Sequence, residues 1–488
     1  MVNQKSNREN GSSFLNIIQE GLPSTKQKKR IILLGAGMAG LVAGSLLKDA
    51  GHDVIILEAN DRVGGRVHTI REPFTNGNYI DAGAMRFPTT HKFVQAYIEK
   101  FGLTTNPFIN STPEDLFMIH GQQVKRKEYE QNPGLLHLTL PEHEKRKTAR
   151  ELFLSAVQPF LDLYENSSDE EKERLKKELS HYSMEDYLRK NPFGPSLSRN
   201  AVRMIKLVLG IEGFPEYSFL DILIDITFPI FNGDTKFLEI AGGNDRLPNA
   251  FVPALIDNIY FEQKVTKIIH HQDRVSVYTE DQRFHSSTSW SGDLLLTTIP
   301  FTAFQFIDVF PLECLSVRKW HAIREVINVP AVKIGIEFKT KFWEKYPIGH
   351  IVSDLPTRFV YQKSHHQGLP GPGILLASYT WGHNALIFNS LSKKEAIKQV
   401  LQDLARVYGS IVYEEYMNGT VFNWSQNPYS AGCFTLFTPG QAQDLEEVIP
   451  RPEGLIHFAG EHTSSYHGWV EGAIQSGIRA AKQINDQN

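Results

Sequence analysis

The chain has 488 residues, of which 51 are basic and 55 acidic, so its formal net charge is only −4. This length allows two or three domains with sizeable cores, and the balanced charge gives no basis for expecting a nucleic-acid partner. Two cysteines, Cys314 and Cys433, exclude a disulfide framework, and no apolar run is long enough to span a membrane. Residues 1–29 lack the apolar core of a signal peptide, so we predict a polar N-terminal tail or short helix there and a cytoplasmic protein.

The first predicted unit is a strand, a glycine-rich turn, a helix and a second strand that ends at Glu58. The turn has the sequence GAGMAG over residues 35–40. In such a unit Gly35 permits the tight turn, Gly37 lets the backbone approach a pyrophosphate, and Gly40 lets the helix pack closely on the strand. The helix start favours an anion, and a carboxylate matches two ribose hydroxyls. We predict a dinucleotide site, against the alternative of a glycine-rich turn in another α/β protein.

The later elements indicate a substrate domain and an inserted helical subdomain. A short strand and a tight turn over residues 79–84 deliver Arg86, and helical patterns dominate from about residue 113 to 231. A buried strand ending at Pro300 then indicates that the nucleotide-binding domain is discontinuous. The stretch 301–439 alternates β-type runs with loops and is dense in aromatic residues, which suits an enclosed apolar pocket.

Several motifs occur in a fixed order, and their joint occurrence is more specific than any one of them. They are Gly35 to Gly40, Gly64-Gly65-Arg66, Gly83-Ala84-Met85-Arg86, Lys333, Tyr361, Phe458-Ala459-Gly460-Glu461 and His467-Gly468-Trp469. Together they resemble the flavin amine oxidase family and, within it, the L-amino-acid oxidases, over residues 30 to 485. The resemblance implies an FAD-dependent enzyme that acts on a small L-amino acid and O2, and we expect a homo-oligomer, a dimer.

The resemblance also implies an architecture, which is α/β, or α+β overall. We expect a discontinuous FAD-binding Rossmann-like domain, a mixed-sheet substrate domain and an inserted helical subdomain. The expected boundaries are 30–104, 237–320 and 440–488 for the FAD-binding domain, 105–130 and 321–439 for the substrate-binding domain, and 131–236 for the helical subdomain.

In this family the two glycine motifs bind FAD together, and most L-amino-acid oxidases hold it by contacts only. Arg66 matches an arginine that contacts the cofactor, and Glu461 matches a carboxylate near its ribityl-pyrophosphate. Val265 resembles the residue whose backbone reads adenine, although a core valine is the alternative. The expected cofactor-binding residues are Gly35, Gly37, Met38, Ala39, Gly40, Glu58, Ala59, Gly65, Arg66, Ala84, Met85, Arg86, Val265, Glu461, Gly468, Trp469, Val470 and Ala473.

The expected substrate site centres on Arg86, because the family's arginine in this context holds the substrate carboxylate. A guanidinium suits that task since it is permanently charged and forms paired hydrogen bonds; the alternative is a structural ion pair. Tyr361 resembles the tyrosine that shares the task, or else it is a pocket wall. Trp469 and Phe434 match the two walls beside the flavin, and Gly468 matches the glycine whose carbonyl accepts the substrate amino group.

Two expected catalytic features concern proton handling. The family's lysine at Lys333 holds a water against flavin N5, although an outward-facing lysine on an alternating strand is the alternative. Venom enzymes of the family carry a histidine proposed as general base, and here Asp225 aligns near it, so we expect the amine proton to pass to solvent. The pairs His270-His271 and His365-His366 have no metal-ligand spacing, and we predict no metal site.

Cys433 matches the monoamine-oxidase cysteine that bonds the flavin 8α-methyl carbon. No basic neighbour in the sequence lowers its thiol pKa, so we expect an inert thiol and dissociable FAD.

The implied reaction passes the Cα hydride to flavin N5, and the imino acid hydrolyses to a 2-oxo acid and ammonia while dioxygen becomes hydrogen peroxide. We expect large apolar or aromatic substrates, unless Asp225 faces the pocket and favours lysine or arginine. The alternatives are an amino-acid 2-monooxygenase that forms the amide, an amine or polyamine oxidase, and a flavin-binding protein without catalysis.

Overall fold

The computed structural model describes residues 12–211, 216–223, 235–362 and 368–487. Asp225 and the pair His365-His366 lie outside the described residues. The longer helices are Met38–Asp49, Lys92–Lys100, Ala149–Asn166, Asp169–Leu179, Arg199–Leu209, Val317–Glu325, Lys393–Tyr408 and Val470–Asn485. Short helices are Arg126–Gln131, Met184–Arg189, Phe219–Asp221, Arg246–Asn249, Val252–Leu255, Phe301–Phe304, His383–Leu386, Ile411–Glu415 and Gln441–Leu445.

A five-stranded parallel sheet forms the first layer of the fold. In spatial order its strands are Ile259–Tyr260, Asp53–Leu57, Arg30–Leu34, Leu294–Thr297 and Ile456–Phe458. These strands are rich in buried aliphatic residues, because a parallel sheet is covered on both faces. Helices Met38–Asp49 and Val470–Asn485 pack so closely that a Cβ at Gly477 would lie 2.6 Å from the Ala39 carbonyl oxygen. The predicted α/β fold class with a Rossmann-like unit is confirmed.

A mixed seven-stranded sheet forms the second large layer. In spatial order its strands are Tyr416–Asn423, Ala331–Phe338, Gly373–Trp381, Phe359–Gln362, Ile351–Ser353, Leu116–Ile119 and Gln122–Lys125. In this sheet Ile351–Ser353 and Leu116–Ile119 are parallel, and the other neighbouring strands are antiparallel. The strand Ala331–Phe338 is buried along its whole length, on both of its faces. Other parts of the protein therefore cover both faces of the sheet at this strand.

The helices between residues 149 and 209 build a core that is continuous with one side of the seven-stranded sheet. Ser198 begins the helix Arg199–Leu209, because its side chain accepts a hydrogen bond from the Ala201 N–H, and Gly210 ends it with a φ of 73°. The apolar face of this helix, which includes Val202 and Ile205, is buried against the neighbouring helices. The last turn and Gly210 consequently reach the cavity described below.

The segment predicted as a polar tail or short helix is helical over residues 12–20. Phe14, Ile17 and Ile18, together with Leu22, are buried in the core around the parallel sheet. Their spacing places them on one side of a helix, so a stretch of polar composition still supplies a narrow apolar face. The described part of the segment therefore belongs to the folded body.

The remaining strands form four small sheets within the described residues. One contains Ser287–Gly292, Val275–Asp281, Gln263–His270 and Asp308–Phe310, and another contains Phe87–Pro88, Phe237–Ile240 and Thr105–Phe108. Two further pairs are Ile327–Val329 with Phe434–Leu436 and Thr69–Ile70 with Ile80–Asp81. The domain boundaries given above stay a prediction. Across the described part of the chain, none of the helices has both the length and the apolar character that crossing a bilayer requires.

Candidate active site

A cavity of about 1080 Å³ begins where the strands of the parallel sheet end. Gly35, Glu58 and Thr298 each directly follow the carboxyl end of a strand, and all three line the cavity. Ligands of open α/β sheets bind at this edge. Away from the sheet the same cavity is lined by Arg86 and Tyr361, so one space joins the expected cofactor and substrate residues.

Most of the expected site residues line this cavity. They are Gly35, Gly37, Met38, Ala39, Glu58, Ala59, Gly65, Arg66, Ala84, Met85, Arg86, Val265, Tyr361, Phe434, Glu461, Gly468, Trp469, Val470 and Ala473. Gly40 and Lys333 are outside the lining, and Asp225 is outside the described residues. The roles assigned to all of these residues stay predictions.

The two glycine motifs meet and form a wall made of backbone. Gly35 has a φ of 97°, and a Cβ at Gly40 would lie 2.0 Å from the Gly35 carbonyl oxygen, so this position packs behind the turn. The Gly64 N–H donates to the Ala36 carbonyl at 2.8 Å, which joins the second motif to the first. A Cβ at Gly37 would meet nothing within 4 Å, so open space adjoins the start of the helix Met38–Asp49.

Glu58 follows the second strand, and its buried carboxylate accepts three hydrogen bonds, which leaves acceptor capacity for a ligand. Its two oxygens accept from the Ala36 N–H at 2.7 Å and from the Asn60 N–H and side-chain amide at 2.8 Å and 2.7 Å. The carboxylate is thus fixed at the rim of the cavity, beside the glycine turn. An open backbone wall, the first N–H groups of a helix and this acid fit FAD, whose diphosphate and ribose need those partners.

Glu461 ties together parts of the site that are distant in sequence. Its buried carboxylate pairs with the Arg66 guanidinium at 2.9 Å and accepts from the backbone N–H groups of Thr435 at 2.9 Å and Gly468 at 2.7 Å. Thr435 follows Phe434, and Gly468 precedes Trp469, so one carboxylate fixes the backbone beside both expected walls. Charge-assisted bonds of this kind are stronger than neutral ones.

Arg86 is a buried cation without an anionic partner among the described residues. Its side chain donates to the Asn110 side-chain oxygen at 2.6 Å, and the residue is 9% exposed. The guanidinium carbon lies 5.4 Å from the centre of the Phe237 ring and 6.0 Å from that of Tyr361. A buried charge is costly unless it is paired, so this geometry leaves a place for an anion inside the cavity.

Aromatic side chains form the walls around this place. Trp469 contacts His91 edge to face, with ring centres 5.0 Å apart, while Phe434 and Tyr361 line the cavity. Burial lowers the pKa of His91 to about 3, so its imidazole is neutral and adds no charge behind Trp469. Glu471, whose carboxylate accepts two N–H groups at the start of the helix Lys92–Lys100, fixes that helix next to Trp469.

Lys333 is buried, and its ammonium points to backbone rather than to solvent. The Nζ atom donates to the carbonyls of Asp81 at 2.9 Å and Gly83 at 2.6 Å, and it lies 4.4 Å from the centre of the Tyr379 ring. The outward-facing alternative is therefore wrong, because both faces of the strand that carries Lys333 are covered. In this position Lys333 fastens the turn that precedes Arg86, and its expected water-holding role stays a prediction.

Cys433 is partly buried and lines the cavity. Burial raises the pKa of this thiol to about 11, although Lys333 and Arg66 act in the opposite direction. The Cys433 carbonyl accepts a hydrogen bond from Arg66 at 3.1 Å, which fixes its backbone. A thiol that stays protonated at neutral pH is a poor nucleophile.

Three residues that line or support the site were missed from the sequence. Asn110 is the hydrogen-bond partner of Arg86, the Trp424 indole donates to the Ala82 carbonyl at 2.8 Å, and Asn244 donates to the Ala84 carbonyl at 3.0 Å. Asn244 follows a Gly-Gly pair, which is a signal for a special turn. The other two carry no local signal, because their partners come from distant stretches of chain.

Comparison with known proteins places the chain among flavoproteins. Residues 38–485 match the family model described as flavin containing amine oxidoreductase. YobN of Bacillus subtilis (strain 168) is 43% identical over 97% of this chain and 98% of its own. The L-amino-acid oxidase of Siganus canaliculatus is 36% identical over 97% of this chain and 88% of its own. The L-amino-acid oxidase of Crotalus adamanteus is 33% identical over 97% and 90%.

Solved structures share the fold at lower identity. The cyclohexylamine oxidase of Brevibacterium oxydans IH-35A superposes with a TM-score of 0.74 at 20% identity, covering 94% of this chain and 99% of that one. A wild-type putrescine oxidase bound to putrescine gives a TM-score of 0.67 at 18% identity over the same shares. The glycine motifs, the cavity and the family match agree, and the chain belongs to the flavin-containing amine oxidoreductase family.

Proposed function

We propose that this protein is an FAD-dependent L-amino-acid oxidase. It would convert an L-amino acid, dioxygen and water to a 2-oxo acid, ammonia and hydrogen peroxide. The observation that carries the proposal is Arg86, a buried guanidinium in the shared cavity whose hydrogen-bond partner is the neutral Asn110. The α-carboxylate of an amino acid is the anion that such a site would bind. Relatives that bear this enzyme name and align over nearly the whole chain support the same conclusion.

The chain's own residues would bind and orient the substrate. Arg86 would take the carboxylate in a bidentate pair, and the Tyr361 hydroxyl would add a further donor. The Gly468 carbonyl would accept from the amino group, and Phe434 and Trp469 would exclude water from the Cα–H bond. Bound FAD supplies the two-electron acceptor and passes the electrons to dioxygen.

A coupled peroxide assay across the standard L-amino acids, with their D-enantiomers as controls, tests this proposal. We expect peroxide, ammonia and 2-oxo acid in equal amounts with L-enantiomers only. A carboxamide product with loss of CO2 would instead identify the monooxygenase alternative, which would use the same Arg86. No turnover of any amino acid by FAD-loaded protein would reject the proposal.

The substrate profile is a separate expectation. We expect large apolar and aromatic L-amino acids to give the highest kcat/KM, because Val208, Leu209, Gly210 and Phe359 add an apolar surface to the cavity. The measurement is kcat/KM for leucine, phenylalanine, lysine and aspartate under one condition. A profile led by aspartate or glutamate would contradict this expectation, whereas one led by lysine would point to Asp225.

A primary-amine or polyamine oxidase is the main alternative, because the solved relatives with this fold oxidise such amines. In that case the buried Arg86 charge would lie near a cationic substrate, at an electrostatic cost. Comparing phenylalanine with phenethylamine separates the two functions, since these substrates differ by the carboxylate. We expect the amino acid to be favoured at least about tenfold, which corresponds to about 1.4 kcal/mol.

We also propose that FAD is held by contacts alone. The raised pKa of the Cys433 thiol, about 11, argues against covalent attachment at neutral pH. After acid precipitation of the yellow holoenzyme we expect the flavin in the supernatant. A yellow pellet that becomes colourless in Cys433→Ala would show the opposite.

We also propose that the protein is a dimer and that it is located in the cytoplasm, as predicted from the sequence. Light scattering of the holoenzyme at several concentrations would test the first, and fractionation of cells that make the protein would test the second.

A further inference from the structure

His350 is a buried histidine that lines the cavity but has no part in the chemistry proposed above. Its Nε2 atom lies 2.9 Å from the Ile109 carbonyl oxygen, and its Nδ1 atom lies 3.1 Å from the Gln362 backbone nitrogen. A carbonyl accepts and an N–H donates, so Nε2 carries the proton and Nδ1 accepts. Both ring nitrogens are therefore engaged, and only one neutral tautomer satisfies both contacts.

One contact leads to Arg86 through Asn110, and the other ends next to Tyr361. Ile109 precedes Asn110, whose side chain accepts from Arg86 at 2.6 Å. Gln362 follows Tyr361, and the His350 and Tyr361 rings also pack directly, with centres 5.1 Å apart. The imidazole thus lies behind both halves of the site that would hold the carboxylate.

The backbone of His350 is itself fixed. Its N–H donates to the Asp115 carboxylate at 2.9 Å, and its carbonyl accepts from the Leu116 N–H at 2.8 Å. Asp115 also pairs with Arg126 at 3.2 Å. Burial, aided by Arg126 and Arg86 and opposed by Asp115 and by the hydrogen bond to Ile109, lowers the pKa of His350, which favours the neutral ring that the two contacts require.

We propose that His350 is a positioning residue that sets the distance between Arg86 and Tyr361. The Arg86 side is held through Ile109 and Asn110, and the Tyr361 side is held through Gln362 and the ring contact. Removing the imidazole would let the two ligands separate, so carboxylates would bind more weakly while other ligands would not. This inference rests on the proposed function, because it takes Arg86 and Tyr361 as the carboxylate ligands.

The test measures binding of benzoate and of uncharged benzamide to the oxidised holoenzyme by calorimetry, along with kcat and KM for the best amino acid. His350→Phe keeps a ring against Tyr361 but removes both hydrogen bonds. From the usual net value of two such bonds we expect benzoate to bind about tenfold more weakly. We expect KM to rise by a similar factor, and kcat and benzamide binding to change less than about threefold.

Two conservative variants test the two hydrogen bonds of His350 one at a time. His350→Asn keeps an acceptor for Gln362 but is too short to reach Ile109, and His350→Gln reaches Ile109 but loses the Gln362 contact. We expect each to weaken benzoate binding by about threefold, as one lost bond predicts. If His350→Phe fails to fold, these two variants decide the question. His457→Phe, a change at another buried histidine of low pKa, should leave benzoate binding unchanged and controls for general loss of stability.

Comparing Arg86→Ala with the His350 variants separates a failure of the positioning role of His350 from a failure of the proposed function. If Arg86→Ala leaves benzoate binding unchanged, the proposed carboxylate site is wrong. If Arg86→Ala weakens benzoate binding but every His350 variant binds it as the parent does, the inference is overturned and the proposed function stands. Equal losses for benzoate and benzamide would reduce His350 to a packing residue, which also overturns the inference.

Discussion

Arg86→Ala is expected to lower kcat/KM for the best amino acid by at least about thirtyfold. Removing one partner of a buried, charge-assisted pair costs about 2–5 kcal/mol, and each 1.4 kcal/mol is a factor of ten. Arg86→Lys should restore only part of the loss, because an ammonium cannot form the planar fork with a carboxylate. The measurement is steady-state peroxide production by protein whose flavin content has first been matched to the parent.

The amine that lacks the carboxylate provides the decisive comparison. We expect Arg86→Ala to lose most of the preference for phenylalanine over phenethylamine, since both substrates then meet the same uncharged wall. Arg203→Ala, which removes an exposed arginine of the helix Arg199–Leu209, is the matched control and should behave as the parent. Near-normal turnover of phenylalanine by Arg86→Ala would refute the role assigned to Arg86.

Replacing Gly40 with alanine should destabilise the apoprotein and replacing Gly37 should not, whereas both changes should lower the affinity for FAD. The Cβ at Gly40 would lie 2.0 Å from a backbone oxygen, and such overpacking costs about 1–3 kcal/mol. The Cβ at Gly37 meets open space at an ordinary φ of −71°, so the change should be neutral or stabilise by up to about 1 kcal/mol. That open space is where the diphosphate would approach, and a Cβ at Gly40 would displace the Gly35 turn beside it, so we expect FAD affinity to fall at least about tenfold in both variants.

Denaturant unfolding of the apoprotein and fluorescence titration with FAD measure the two quantities. Gly102→Ala, at a helix end away from the cavity lining, controls for replacing a glycine: its φ of 60° should make it mildly destabilising, with FAD affinity unchanged. Tight FAD binding by Gly37→Ala would show that the cofactor does not approach this turn.

The sequence could locate the glycine-rich wall of the cavity because its signals are local. A strand, a turn and a helix within thirty or so residues of chain determine where Gly37, Gly40 and Glu58 lie. The Arg86 motif, too, was recognisable, since the turn that delivers it is short. In these cases the positions of the residues along the chain are enough to predict how close they lie in the fold.

The part of the cavity around Arg86 and Tyr361 could be predicted only in part, because its contacts join distant stretches of chain. Alternation along a strand could not place Lys333, since the strand Ala331–Phe338 is buried on both faces and has no outward side. No spacing rule connects Arg86 to Asn110 or His350 to Gln362. The apolar face of the N-terminal helix was hidden by the polar composition around it.

The contacts of Glu461 indicate when FAD can bind stably during synthesis of the chain. Its carboxylate joins Arg66 to the backbone beside Phe434 and Trp469, and the helix Val470–Asn485 completes the layer over the parallel sheet. A nascent chain that has emerged from the ribosome only to residue 450 would carry both glycine motifs but neither this acid nor the last strand. Stable loading of FAD should therefore follow the synthesis of residues 456–485, which supply this acid, the strand and the helix.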